Sequence, residues 1–168
     1  MTIKKLLFLS ISVFLLMGTS LLSASEKVPL RAQDRVEIEQ LMWEYIQALD
    51  SHDAEAFLSK FTPDGEFRSS ASTAKGREAL KKMVVDAWKK MDATDKDGKK
   101  KPHMYHIVTN PHIEFIDEDH ARYHAYWMGV LETGGEVVTA GREVNELVKI
   151  NGKWLIKIRD VNPGNDGI

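Results

Sequence analysis

The chain has 168 residues, no cysteine, and 23 basic against 25 acidic side chains, so disulfides and lipid attachment at a cysteine are excluded. Removing an N-terminal leader that holds two lysines leaves 21 basic residues against 25 acidic, a balance that argues against nucleic-acid binding. The rest of the chain, about 140 residues, suffices for one core and one domain without covalent staples.

That leader is read from Lys4 and Lys5 followed by an apolar run from Leu6 to Leu22, broken only by Ser10, Ser12, Gly18, Thr19 and Ser20. This is the profile of a secretory signal peptide. Ser23 and Ser25 supply the small residues a cleavage site needs, so residues 1–25 are expected to be removed and residues 26–168 to form a periplasmic or secreted domain. An uncleaved anchor is the alternative, because the run approaches the roughly 18 residues of a spanning helix. No basic stop-transfer cluster follows it, and after cleavage no membrane contact is expected.

From Asp34 to Leu49, the residues Ile38, Leu41, Met42, Tyr45, Ile46 and Leu49 recur at helical spacing and predict an amphipathic helix. Asp34 with Glu37 resembles a capping box at its start. A second short helix is expected from Ala54 to Phe61, capped by Asp53 and ended by Thr62-Pro63-Asp64-Gly65, after which Glu66 to Ser69 reads as a strand. A third helix runs from about Gly76 to Met91, with Leu80, Met83, Val84, Ala87, Trp88 and Met91 on one face. Asp92 to Pro102 reads as a solvated loop with the lysines Lys99 to Lys101 exposed. Beyond Pro102 the period becomes alternating. Four strands are expected at His103 to Ile116, His120 to Leu131, Val137 to Ile150 and Lys153 to Val161, the last two joined by an Asn151-Gly152 hairpin turn. Helices first and an antiparallel meander last predict an α+β fold with the helices on one face of the sheet.

No nucleotide-binding loop, zinc-spaced motif or serine nucleophile elbow occurs in the sequence. Neither a cofactor nor a metal is expected, and the chemistry rests on isolated polar residues. Asp50 ends the first helix, where its carboxylate meets the negative end of the dipole. A cation such as an imidazolium beside it would relieve that; otherwise Asp50-Ser51-His52-Asp53 is a polar inter-helix turn. His106 shares a strand face with Met104 and Val108, a setting for either a general base or a hydrogen-bonded core histidine. His103, His106 and His112 do not make one metal site. On a regular strand the first two point to opposite faces, and His106 and His112 share a face about 20 Å apart. A hairpin near Glu118 would set His112 opposite His124, a pair without an evident third ligand.

The order of these segments resembles the SnoaL-like polyketide cyclase and dehydratase group of the nuclear-transport-factor-2-like superfamily. The resemblance rests on Ile38, Leu41 and Tyr45 through Ala48-Leu49-Asp50, on Phe61-Thr62-Pro63-Asp64-Gly65, and on Gly76-Arg77. It continues through His106-Ile107-Val108-Thr109-Asn110 to Phe115, then Gly141-Arg142, and Asn151-Gly152-Lys153-Trp154 with Ile156. It implies a cone-shaped α+β barrel in which a strongly curved antiparallel sheet wraps the N-terminal helices around a deep, mostly apolar pocket, and a homodimer formed through the outer sheet face. In relatives such as scytalone dehydratase and lindane dehydrochlorinase, an aspartate ending the first helix pairs with a histidine on the first long strand. Asp50 and His106 occupy those positions. His106 would then take a proton from a carbon acid while Asp50 holds its tautomer, with Tyr45, Tyr126 or Arg142 donating to a developing oxyanion. Relatives often carry an aromatic residue after Gly-Arg and an aspartate two further on, where this chain has Glu143 and Asn145.

Two functions follow as expectations. One is a cofactor-independent lyase, isomerase or cyclase acting on a small, free, apolar molecule. The alternative is a non-catalytic small-molecule-binding or dimerisation domain, its pocket holding a ligand or filled by Trp88, Met104 and Trp127. A module that binds proteins through the sheet face is the third reading.

Overall fold

Ile38, Leu41, Met42, Tyr45 and Ala48 are buried along one face of helix α1 (Lys27–Asp50), as the spacing predicts. Each large apolar side chain there contributes on the order of 1.5–3 kcal/mol by leaving water. The computed structural model describes residues 27–94 and 97–164; the leader, residues 1–25, lies outside them. Helix α1 begins well before Asp34, which is therefore not its cap. The Asp34 carboxylate instead accepts from Lys149 Nζ at 2.6 Å and Trp154 Nε1 at 3.0 Å, tying the helix to the end of the chain. Burial pushes the Asp34 carboxyl upward, but these two bonds outweigh it and hold the group below its ordinary range.

Asp53 caps helix α2 (Ala54–Leu58), its Oδ1 accepting the Ala56 N–H at 2.9 Å. The helix ends earlier than expected because Phe61 already belongs to strand β1 (Phe61–Arg68). The Pro63-Asp64-Gly65 turn is a bulge inside that strand: Phe61 pairs with Ile156, and pairing resumes only at Glu66 with Ile158. A Cβ on Gly65 would stand 2.9 Å from Phe61 Cβ, so the fold-back needs glycine. A short strand β2 (Thr73–Lys75), unforeseen from the sequence, pairs with β1. Helix α3 (Arg77–Met91) buries Leu80, Val84 and Trp88, with Glu78 in its first turn and Lys89 and Lys90 in its last, matching its dipole.

Strands β3 (Met104–Phe115), β4 (His120–Leu131), β5 (Val137–Ile150) and β6 (Lys153–Asp160) form the meander. Together the strands make one curved, open sheet in the order β2-β1-β6-β5-β4-β3, antiparallel except where β1 meets β6. Asn151 and Gly152, with φ of 52° and 76°, make the two-residue turn between β5 and β6. The inner sheet face, with Ala121, Tyr123, Ala125, Leu147 and Ile156, joins the α1 stripe in one core. Tyr45, Phe57 and Phe61 cluster where α1, α2 and β1 meet, with ring centroids 5.2 to 5.9 Å apart. This is the α+β architecture expected from the order of the segments.

One irregularity decides which histidines face inward. Thr109 pairs with Tyr126 but His112 with His124, an extra residue on β3 accommodated at Asn110 with φ of 53°. The bulge reverses the alternation. His106 lies on the inner face and His112 on the outer, contrary to the expectation from a regular strand that they share one.

Candidate functional site

Helix α1 ends in a Schellman arrangement. Asp53 N–H donates to Ala48 O at 3.0 Å and His52 N–H to Leu49 O at 3.3 Å, with His52 in the left-handed region at φ 58°. This fixes the direction in which Asp50, the last helical residue, projects. Opposite it runs β3, at one end of the strand order, so backbone amides on its outer edge have no strand partner. Asp50 fills that vacancy: Oδ2 accepts the His106 backbone N–H at 3.0 Å, while Oδ1 lies 2.6 Å from His106 Nδ1.

The double contact locks both groups. A carboxylate only accepts, so Nδ1 donates and the neutral ring keeps its lone pair on Nε2. The imidazole also supplies the cation-forming partner that a carboxylate at a helix C-terminus requires, since the last turn of α1 has no basic residue. The side chains of His106 and Asp50 are 17% and 13% exposed, so the pair is sheltered without being sealed.

The inner face around the pair is occupied. His106 sits across from Gly129, where a Cβ would come within 2.7 Å of both Met104 Sδ and Thr139 Cγ2. Further along, the Trp127 indole lies on Gly141, and its Nε1 donates to Arg142 O at 3.2 Å. Met104 and Trp127 thus fill space on either side of His106. Two open cavities flank this region. One, about 250 Å³, is lined by residues including His52, Lys100, Lys101, His103, Met104 and Glu132. The other, about 420 Å³, lies along Trp127, Thr139, Gly141 and Val161. Neither lining contains Asp50 or His106, in contrast to the deep apolar pocket that the resemblance implies.

The other expected site residues are scattered. Tyr45 is 1% exposed and lies under the Arg159 guanidinium at 4.3 Å; burial above all raises its hydroxyl pKa. Its setting is the core. Trp88 is likewise a core residue, donating from Nε1 to Leu49 O at 3.0 Å and stacking on His52 at 4.9 Å. Tyr126 and Arg142 pair across β4 and β5 in the alternate register to Trp127 and Gly141, which sets both on the outer face; Arg142 is also among the residues lining the second cavity. His112 and His124 do lie opposite one another, ring centroids 5.9 Å apart, with Glu114 3.9 Å from His124. Among the described residues no three or more metal-ligating side chains cluster.

Sequence reasoning missed a buried polar network on the inner face. Glu143, expected to take the place of an aromatic wall or to face solvent, is 1% exposed and meets Arg159 Nη2 at 2.6 Å. Asn145 bridges them, donating to Glu143 at 3.1 Å and accepting from Arg159 Nη1 at 3.4 Å. Burial works against the Arg159 charge, yet Glu143 leaves its pKa above the ordinary value. The same burial, helped by Glu143, pushes the Tyr123 hydroxyl up to about 12. Counting along the strand does not reveal it: Trp154 and Ile156 set the inward face of β6, and only the register shift between Ile156 and Ile158 turns the odd-numbered Arg159 inward.

Comparison with known proteins agrees with this architecture. The model of the SnoaL-like domain family matches residues 30–160. No curated protein sequence matches. Among solved structures, a protein of unknown function with a cystatin-like fold from Nostoc punctiforme is 25% identical, with a TM-score of 0.67 over 80% of this chain and 93% of that one. A putative scytalone dehydratase from Novosphingobium aromaticivorans is 22% identical, with a TM-score of 0.63 over 79% of this chain and 85% of its own. LinA is 20% identical, with a TM-score of 0.66 and coverage of 79% and 87%. At 20% and 22% identity, these last two are likenesses of fold.

Proposed function

Since this chain belongs to the SnoaL-like domain family, we propose that it is a cofactor-independent lyase or isomerase in which His106 and Asp50 move a proton on a small, largely apolar molecule. The observation that carries the reading is the two-point grip of Asp50 on His106, at 2.6 Å and 3.0 Å. His106 Nε2 takes a proton from a carbon next to a carbonyl or imine, or beside a leaving group. Asp50 holds the tautomer and stabilises the imidazolium. The electron pair left on carbon either expels the leaving group or is reprotonated at another position, giving elimination or isomerisation. The likeness to a putative scytalone dehydratase supports the lyase class by analogy only. The proposal includes export through the leader and a homodimer.

A second reading, a non-catalytic binding or dimerisation domain, is favoured by Met104 and Trp127 filling the inner face. Deuterium exchange separates the two. With a panel of small cyclic ketones in deuterium oxide, the full chain should speed exchange at the α-carbon above the buffer rate. His106→Ala should lower that rate about 10²- to 10⁴-fold. No acceleration, or equal rates in the two proteins, overturns the catalytic reading.

A further inference from the structure

The cavity of about 250 Å³ beside the pair is too small for a whole ligand, since such sites usually span about 300–1,000 Å³. It is large enough for one end of a molecule. Its lining is unlike the inner face: Lys100, Lys101, His52 and His103 converge on it, with Asp92 and Glu132 as the acids. Both acids are engaged, Asp92 with His52 Nδ1 at 3.5 Å and Glu132 with the Tyr105 hydroxyl at 3.2 Å. Lys100 and Lys101 have no carboxylate within ion-pair distance among the described residues.

Lys100 is tied to the end of the preceding segment by an isolated bridge with Thr94. His52 is held by its stack on Trp88, and the His103 ring lies 5.9 Å from His52 and 4.7 Å from Tyr105. Met104 connects the two environments, because it lines the cavity and shares the inner face with His106 two residues along the strand, roughly 7 Å away.

We propose that this cavity holds a carboxylate on the substrate, so that the molecule taken by the protein is an apolar body with an anionic end. The identification of that molecule as a substrate rests on reading Asp50 and His106 as the reacting pair; the anion site itself does not. Lys100 and Lys101 supply the charge, His103 supplies a ring N–H donor, and Met104 carries the apolar chain toward His106. The carboxylate is then anchored in a cavity whose lining includes neither Asp50 nor His106, which orients the molecule without placing a second negative charge beside Asp50.

Calorimetric titration of the full chain with 4-phenylbutyrate and its neutral analogue 4-phenylbutanol tests this. At low ionic strength the acid should bind roughly ten-fold tighter than the alcohol, and added salt should narrow the difference. The double variant Lys100→Gln/Lys101→Gln, at exposed positions, should erase the preference and leave the alcohol's affinity unchanged. His106→Ala should preserve it. Equal affinities in the unaltered protein, no binding of either compound, or a preference that survives the lysine substitutions overturns the proposal. Loss of the preference in His106→Ala alone would place the anion at the imidazole and overturn it as well. A failure of the deuterium-exchange assay with the preference intact would sink only the catalytic reading.

Discussion

Two acid–base pairs face the same concavity at the same separation, and their surroundings give them opposite uses. Glu143 and Arg159 meet at 2.6 Å with side chains at most 4% exposed, sealed by the Tyr45 ring. Asp50 and His106 also meet at 2.6 Å, but at 13% and 17% exposure and at an open sheet edge. In the first pair the guanidinium holds its proton, its pKa raised by Glu143, and both side chains are closed off from solvent, so the contact serves the fold. In the second, one partner is an imidazole, whose ring nitrogens can both donate and accept a proton, and the pair is partly open to solvent. Burial, not distance, separates scaffold from candidate machinery.

The largest effect on stability is expected in the sealed pair. Arg159→Met strands the Glu143 carboxylate in the core and should lower unfolding free energy by about 3–5 kcal/mol in urea denaturation, whereas Glu143→Leu/Arg159→Met should recover much of that. His106→Ala should cost less than about 1.5 kcal/mol in the same measurement. Equal losses at the two sites would break the distinction.

Asp34 offers an intermediate case, a carboxylate 11% exposed and bonded to Lys149 and Trp154. Its folded pKa lies below the unfolded value, so its contribution is complete above about pH 4 and is lost as pH falls through the lower folded value. Asp34→Asn should therefore cost about 1–3 kcal/mol at neutral pH. The gap to the unaltered protein should close in acid. A gap independent of pH would show that the carboxylate charge contributes nothing.

How much of this could be read from the residues varies with the kind of signal. Helix α3 and the four meander strands show plainly in their periods, and Asn151-Gly152 marks its turn because both positions need positive φ. Strand β1 was misread because Pro63-Asp64-Gly65 is also ordinary turn chemistry, and a bulge within a strand uses the same residues. The β3 bulge at Asn110 left no comparable mark, so the faces of His106 and His112 could not be assigned by counting. Asp50 and His106 are 56 residues apart, and no local pattern joins them; the resemblance did. The buried role of Glu143 depends on Arg159, a pairing made only when β5 and β6 lie side by side.

The central claim is that Asp50 and His106 act as one unit on a substrate proton. A kinetic double-mutant cycle on the deuterium-exchange rate tests it most directly, comparing Asp50→Asn, His106→Ala and the double variant. If the pair is a unit, each single substitution removes most of the activity and the double variant is no slower than His106→Ala. Independent, multiplying losses would contradict the account.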